Sequence, residues 1–391
     1  MIELKGLVRF GDWGGWHFFP QLLKIQHSKQ AITSLCFSDN PRYSASLVDG
    51  SLLSHWLSLA PDIRIGKDIL KQYGSRIPFE FSLLDIQAPC GLQAHPNQLK
   101  AKQGYDDENK RNRPYSIRLF KDVYSKSQVR LAISDCYLLL GFKEAKAALY
   151  ELKRYKALDS YALILEEYGI RGLLRYLIQQ SPTEIQSVLY PLKAQYQDSF
   201  LQHELPKSES LYWFMALAQR YEEQGRVMDW VLVASFLMNL IYLPKEQAVY
   251  IASGTLYTDL FGQALAVTNL SNNTLSTDDE LTQQQTQQMI EILNFDHQKI
   301  SFLDKQDVAP EGQAYCVPNQ DFSLQEFRLM PQESLVTPMG DCPCYWLVLS
   351  GEVKVNSQLH YSLPGSVFYQ KPNEINSIKA FSNSVIYRIS Q

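Results

Sequence analysis

The spacing of hydrophobic residues changes twice along the chain and divides it into three regions. Up to about Phe142, short apolar runs alternate with segments rich in Gly, Pro and polar residues, as at residues 78–86 and 129–142. Runs of this length between turn residues are typical of strands. The first region is therefore predicted to be mostly β-structure.

The second region, residues 143–228, has the spacing of amphipathic helices. Its apolar residues recur every three or four positions, for example at Leu149 and Leu152, which places them on one helical face. The tetrapeptide SPTE, beginning at Ser181, has the composition of a capping box with Pro at the first helical position. We predict that these residues form a helical insert.

Strand patterns return in the third region. They include residues 231–244, 248–253 and 263–271, and the clearest are 345–355, 359–369 and 384–390, separated by Gly, Pro and Asn turns. The pattern predicts a central domain made of residues 1–142 and 229–304, the insert at 143–228, and a small C-terminal β domain at 305–391.

Composition excludes several classes of function. The chain has 391 residues, 45% of them hydrophobic, and a net charge of -4, so no basic excess indicates nucleic acid or an anionic membrane as partner. The apolar stretch at 230–243 is shorter than the roughly 20 residues that a bilayer-spanning helix needs. The first ten residues show no secretory signal. Together these features predict a cytoplasmic protein.

One short segment, QAHPN at residues 93–97, carries candidate chemistry. On an extended strand the side chains of Gln93 and His95 point to the same face. An amide oxygen and an imidazole nitrogen together form half of a four-ligand N/O metal site. The alternative is a histidine at a strand end that only forms hydrogen bonds.

The Q-x-H-P-N motif resembles the metal motif of type I mannose-6-phosphate (phosphomannose) isomerases of the cupin superfamily. The resemblance extends to Trp13-Gly14 and to residues 78–97, 138–144, 243–260 and 271–276, and residues 349–372 resemble a cupin hairpin. It implies a mainly β fold with an α-helical insert: a cupin double-stranded β-barrel (jelly-roll) core and a small C-terminal cupin-like β domain. It also implies zinc-dependent interconversion of mannose 6-phosphate and fructose 6-phosphate.

The metal ligands of the family carry over only in part. Gln93 and His95 match the first two ligands. The family's H-K-P-E segment corresponds to residues 125–128, where Gln128 replaces the ligand glutamate, and its P-H-A-Y segment corresponds to LYTD, where Tyr257 replaces the second histidine. Two of the four implied ligands are therefore substituted.

Other positions of the family's site differ as well. Gly91 and Gln98 stand where the resemblance implies Ser and Lys, Ala266 where it implies an acidic residue, and Ser276 where it implies an arginine facing the substrate. Lys126 matches the family's lysine and is the candidate catalytic residue, with a solvated loop lysine as the alternative.

The substitutions weaken the predicted zinc site. Gln93, His95 and Gln128 are neutral, and ionising a phenol of ordinary pKa near 10 at pH 7 uses roughly 4 kcal/mol. We therefore predict that zinc, the cofactor of the family, is absent or weakly bound, and that Tyr257 and these residues form a hydrogen-bonded polar cluster.

Retained metal binding stays open as an alternative, with help from His17, His55 or the acidic run at residues 106–108. The predicted function is accordingly an isomerase-like protein with a degraded site that is inactive or strongly impaired and still binds a sugar phosphate. Two alternatives remain: an active zinc-dependent isomerase with a rewired site, and a protein-interaction or structural cupin.

Overall fold

The structure, a computed structural model, describes residues 1–26, 28–279, 281–297, 299–308, 312–319 and 321–391. Its strands are β1 (Ile2–Lys5), β2 (Leu7–Gly15), β3 (Ile32–Phe37), β4 (Ser46–Leu47), β5 (Phe79–Ile86), β6 (Gln93–Ala94), β7 (Gln128–Ala132), β8 (Cys136–Phe142), β9 (Met238–Leu243), β10 (Ala248–Ile251), β11 (Tyr257–Asn269), β12 (Leu275–Ser276), β13 (Ser301–Phe302), β14 (Lys305–Val308), β15 (Gly312–Tyr315), β16 (Ser323–Leu329), β17 (Ser334–Val336), β18 (Cys344–Ser350), β19 (Val353–Val355), β20 (Val367–Gln370), β21 (Ser377–Ala380) and β22 (Ser384–Ser390).

The helices lie mainly between β8 and β9 and, in shorter pieces, among the first strands. They are α1 (Phe18–Leu22), α2 (Leu53–Leu59), α3 (Pro61–Arg64), α4 (Lys67–Tyr73), α5 (Gln98–Lys110), α6 (Ala145–Lys153), α7 (Asp159–Leu177), α8 (Pro182–Leu201), α9 (Ser210–Glu223), α10 (Trp230–Leu237) and α11 (Gln283–Ile292). No helix in the described ranges is long and apolar enough to cross a bilayer.

The central sheet is antiparallel and has the strand order β13-β10-β7-β11-β5-β3-β2. Strands β6 and β8 also pair with β11, and β12 and β9 pair with β6 and β8 in turn. Strand β5 shows why the sequence folds this way. Phe79, Phe81 and Leu83 are buried in the core, whereas Glu80 and Ser82 line a cavity on the other face. This alternation has the period of two that a strand imposes.

A second antiparallel sheet, β14-β15-β16-β22-β18-β20-β1-β4, is built mainly from the C-terminal strands, with β17, β21 and β19 forming a small third sheet. Tyr345 on β18 contacts the rings of Phe79 and Phe81 on β5, so the two large sheets share one core. Strand β1 pairs with β20, with Ile2 opposite Tyr369. The division into domains stays a prediction, and this pairing crosses it.

The insert forms as predicted from helical spacing. Ser181 accepts from the backbone N–H of Glu184, whose carboxylate accepts from the N–H of Ser181, so the predicted capping box is confirmed.

The strand prediction for residues 231–244 is wrong over its first half, because residues 230–237 form α10. Its residues are all buried, so the run carries no periodicity, and Asp229 caps the helix by accepting from the N–H of Val231.

Candidate functional site

A cavity of about 500 Å³ opens on the face of the central sheet opposite the shared core. Its floor consists of Gln93, His95, Gln128, Arg130 and Tyr257, and we use "floor" for these five residues. His95, Gln128 and Tyr257 are each at most 3% exposed. The cavity therefore brings together all four residues at the implied metal-ligand positions.

Three short strand segments position the floor. Gln93 lies on β6, opposite Tyr257 on β11, and His95 follows two residues later. Gln128 and Arg130 are alternate residues of β7. Because alternate residues of an extended chain share a face, Gln93 and His95 form one pair of floor side chains and Gln128 and Arg130 form another. Strand β11 adds Tyr257.

Tyr257 connects Gln93 with His95. Its hydroxyl donates to the amide oxygen of Gln93 at 2.6 Å and lies 3.1 Å from Nε2 of His95, the second acceptor available to the same proton. Nδ1 of His95 lies 2.8 Å from the backbone oxygen of Asn273, which only accepts, so this nitrogen carries the proton. In the neutral imidazole this tautomer leaves Nε2 as the acceptor.

Burial keeps both rings uncharged. Desolvation, together with the positive charges of Lys126 and Arg130, lowers the pKa of His95 to about 3. Burial raises the pKa of Tyr257 to about 12. At pH 7 the floor thus presents a phenol and an imidazole, and neither a phenolate nor an imidazolium.

Arg130 supplies the positive charge of the floor, and Asp259 neutralises it. The guanidinium donates from Nε to Oδ1 of Asp259 at 3.1 Å and from Nη2 to Oδ2 at 3.2 Å. It also donates from Nη1 to the amide oxygen of Gln128 at 2.8 Å, and its carbon lies 5.5 Å from the centre of the Tyr257 ring. Gln128 is thus a hydrogen-bond acceptor for arginine at the implied position of a metal-binding carboxylate.

Lys126, the candidate catalytic lysine, lines the same cavity. Its Nζ lies 3.6 Å from Oε1 of Glu80, and the side chain is only 12% exposed. The hydroxyl of Ser38 donates to the other oxygen of Glu80 at 2.7 Å. The lysine is therefore a partly buried, ion-paired loop residue of the cavity wall, and its catalytic role stays a prediction.

Four further positions are implied by the resemblance, and of these only Ala266 lines the cavity. Ala266 lines the cavity, whereas Ser276 is buried on β12, opposite Gln93, and does not line it. The Gly91 N–H donates to Asp278 at 2.8 Å, and the Gln98 amide donates to the oxygen of Val123 at 2.7 Å.

His17, His55 and the acidic run at 106–108 were candidates for help in metal binding. None of them is among the residues that line this cavity, so the structure does not bring them to Gln93 and His95. The acidic run lies on α5, whose Asn97 cap accepts from the N–H of Lys100.

Two cavity side chains, Arg130 and Asp259, were not identified from the sequence motifs. Each is the single charged residue of its strand and lies two positions from an implied ligand position, Gln128 or Tyr257. That spacing is the signal that would have found them, because residues at i and i+2 share a strand face. Asn273 was also missed, and it orients His95 through a backbone oxygen that any residue type provides.

The residues present do not fit a tetrahedral zinc ion. Ligands at zinc bond lengths of about 2.0–2.1 Å stand about 3.3 Å from one another. The 2.6 Å between the Tyr257 hydroxyl and the Gln93 oxygen is a hydrogen-bond distance. Across the described ranges, no group of three or more His, Cys, Asp or Glu side chains is arranged to hold a metal.

Comparisons with known proteins find similarity in sequence and in fold. No family model matches the chain. Mannose-6-phosphate isomerase 1 of Arabidopsis thaliana is 22% identical over 358 residues, which cover 87% of this chain and 79% of the relative. Mannose-6-phosphate isomerase of Escherichia coli K12 is 21% identical over 391 residues, which cover 96% and 95%. The chain is thus similar to mannose-6-phosphate isomerases over most of its length.

Solved structures of such isomerases share the whole fold. The apo form from Salmonella typhimurium matches with a TM-score of 0.83 at 17% identity, over 100% of this chain and 98% of that one. A mannose 6-phosphate isomerase bound with zinc and yttrium matches equally well, at the same identity and coverage. The predicted fold class, a mainly β cupin with a helical insert and a small C-terminal cupin-like domain, is confirmed.

Proposed function

We propose that the protein binds a phosphorylated sugar in this cavity and does not isomerise it. Kinship with the mannose-6-phosphate isomerases supports the class of ligand. The observation that carries the proposed lack of turnover is the Tyr257 hydroxyl, which lies within hydrogen-bond distance of both Gln93 and His95.

An aldose–ketose isomerisation has two chemical requirements. A base must remove a proton from the carbon beside the carbonyl, and positive charge must stabilise the enediolate that forms. In zinc-dependent isomerases the metal meets the second requirement by polarising the oxygen. Without that charge the reaction loses several kcal/mol of transition-state stabilisation.

The floor meets neither requirement with a free group. Arg130 is paired with Asp259, and Lys126 is paired with Glu80, so the nearby positive charges are already neutralised. His95 uses Nδ1 to donate to Asn273 and Nε2 to contact Tyr257. A buried imidazole with a pKa of about 3 is also a weak base at pH 7.

Binding has separate support from the distribution of charge. The floor is polar and its charges are paired, which suits uncharged sugar hydroxyls. Three other cavity residues, the exposed Arg9 and Arg42 and the half-buried Lys121, form no salt bridge with any residue in the described ranges, and we call them the rim cations. This arrangement favours a ligand with its anionic group at the rim and its hydroxyls on the floor.

The test combines catalysis with binding. Purified protein with added zinc is assayed for conversion of fructose 6-phosphate to mannose 6-phosphate, beside the Escherichia coli relative. Calorimetry on the same sample measures binding of mannose 6-phosphate. We expect saturable binding without turnover. Turnover within tenfold of the relative would refute the proposed loss of activity, and absence of binding would refute the proposed ligand.

An active isomerase with a rewired site is the second candidate. Two carboxylates, Asp259 and Glu80, line the cavity and favour it, because a carboxylate is both a metal ligand and a general base. Its distinguishing property is metal content. Stoichiometric zinc that is lost on His95→Ala substitution would support this candidate against the first.

A further inference from the structure

The rim cations differ from every other charged group of the cavity. Arg130 and Lys126 each have a carboxylate partner within the cavity, at Asp259 and Glu80. Arg9, Arg42 and Lys121 line the same cavity and form no salt bridge among the described residues, although Lys121 interacts electrostatically with Asp279 outside the cavity lining. Among the described residues that line the cavity, positive charges therefore outnumber negative charges by three.

Tyrosine rings hold the two rim arginines in place. The guanidinium carbon of Arg42 lies 3.5 Å from the centre of the Tyr115 ring, and that of Arg9 lies 4.9 Å from the centre of the Tyr43 ring. The Tyr43 hydroxyl in turn donates to the amide oxygen of Asn272 at 3.3 Å. Stacking restricts each guanidinium while its in-plane N–H groups stay available to a ligand.

Such restricted guanidinium groups are suited to phosphoryl oxygens. Arginine presents a planar fork of donors that matches the geometry of phosphate, and a side chain that is already ordered loses less entropy on binding. Arg9 and Arg42 stack on separate rings, from β2 and from the segment after β3. The rim thus offers two separate guanidinium groups, with the ammonium of Lys121 in addition.

Charge balance indicates how much anion the rim accommodates. A phosphate monoester carries about -1.5 to -2 at neutral pH, which leaves at least one of the three rim cations uncompensated. We propose that the ligand carries more than one phosphoryl group, either as a sugar bisphosphate or as a sugar joined to a diphosphate. This inference rests on the proposed sugar-phosphate binding and specifies its ligand class.

The test compares ligands that differ in phosphoryl number. Calorimetry at low salt measures the Kd of the intact chain for mannose 6-phosphate, glucose 1,6-bisphosphate and a nucleoside diphosphate mannose. We expect one of the latter two to bind at least about tenfold more tightly than the monophosphate, which corresponds to one additional charge-assisted contact. Tighter binding of glucose 1,6-bisphosphate would indicate a sugar bisphosphate as the ligand, and tighter binding of the nucleoside diphosphate mannose would indicate a sugar joined to a diphosphate. The advantage should shrink at 0.5 M salt, because exposed charges are screened.

Variants connect the preference to the rim. Arg42→Gln and Arg9→Gln should each weaken binding of the ligand with two phosphoryl groups more than binding of mannose 6-phosphate, and so remove most of the advantage of the second phosphoryl group. Arg154→Gln is the matched control, because Arg154 also stands over a tyrosine ring, at 5.6 Å from that of Tyr155, but lies outside the cavity. Thermal unfolding of each variant checks that the fold is kept.

The outcomes separate this inference from the function on which it rests. Equal Kd values for all three ligands, or a preference that survives in both rim variants, would overturn the inference while leaving sugar-phosphate binding intact. Failure of every ligand to bind would overturn both. A preference that disappears in the rim variants and persists in Arg154→Gln supports the inference.

Discussion

The hydroxyl of Tyr257 lies 3.1 Å from Nε2 of His95, the ring nitrogen that the contact with Asn273 leaves available for a ligand. The side chain at one implied ligand position therefore contacts the donor atom of another. Hydrogen bonds thus take up the Tyr257 hydroxyl and both ring nitrogens of His95, whereas the amide nitrogen of Gln128 is buried without a hydrogen-bond partner among the described residues.

Restoring the two substituted ligand positions should restore metal binding. We expect the Tyr257→His, Gln128→Glu double variant to retain about one zinc per chain after dialysis, since it supplies an imidazole and a carboxylate in place of a phenol and an amide. Elemental analysis measures this. The control is Tyr257→Phe, which offers no donor atom. Equal zinc content in the unchanged protein and the double variant would contradict the interpretation.

Removing the Tyr257 hydroxyl should destabilise the fold. Tyr257→Phe takes the donor away from the Gln93 oxygen and from Nε2 of His95, and a buried acceptor left without a partner costs about 1–3 kcal/mol. Urea denaturation measures the change in the free energy of unfolding. Tyr161→Phe is the matched control, because the Tyr161 hydroxyl is buried without a hydrogen-bond partner in the described ranges. A similar loss in both variants would argue against a specific role for the Tyr257 hydroxyl.

Breaking the buried ion pair should cost more than breaking an exposed one. Asp259→Asn leaves Arg130, whose side chain is 6% exposed, without its counter-charge, and we expect a loss of about 3–5 kcal/mol. The exposed ion pairs of Glu291 with Arg171 and Arg175 are the comparison, and Glu291→Gln should cost about 0–1 kcal/mol for each pair. Chemical denaturation measures both. Comparable losses would show that the cavity pair is as solvated as the surface pair.

His95 makes stability depend on pH. Its pKa falls from 6.5 to about 3 on folding, so the unfolded chain binds more protons between these values. The contribution of His95 is complete above pH 6.5 and decreases as the pH falls toward 3, by about 2–3 kcal/mol between pH 7 and pH 4.5. Urea denaturation across this range, compared with His95→Gln, isolates the effect. A variant with the same pH dependence as the unchanged protein would refute it.

Sequence patterns predict the parts of this fold that depend on local periodicity. The alternation of β5, the helical spacing of the insert and the capping box at Ser181 are all read from neighbouring residues. The run that became α10 could not be assigned, because a segment buried on all sides has no periodicity to distinguish helix from strand.

The sequence predicts the cavity residues that match the motifs of the isomerase family. It does not predict the residues that pair with them from other strands. The pairing of Arg130 with Asp259 depends on how β7 and β11 lie against each other, a relationship between residues that are far apart in sequence. It depends also on the shift in register beside Asp259, where β11 meets β8. Neither is visible from local sequence spacing.

The pairing of β1 with β20 ties the order of folding to the order of synthesis. Residues 2–4 leave the ribosome long before their partners at 367–369. Strand β4 can pair with β1 early, but the opposite edge of β1 stays open until β20 has emerged. Such a late, long-range closure slows folding and prolongs the exposure of a strand edge that invites mispairing.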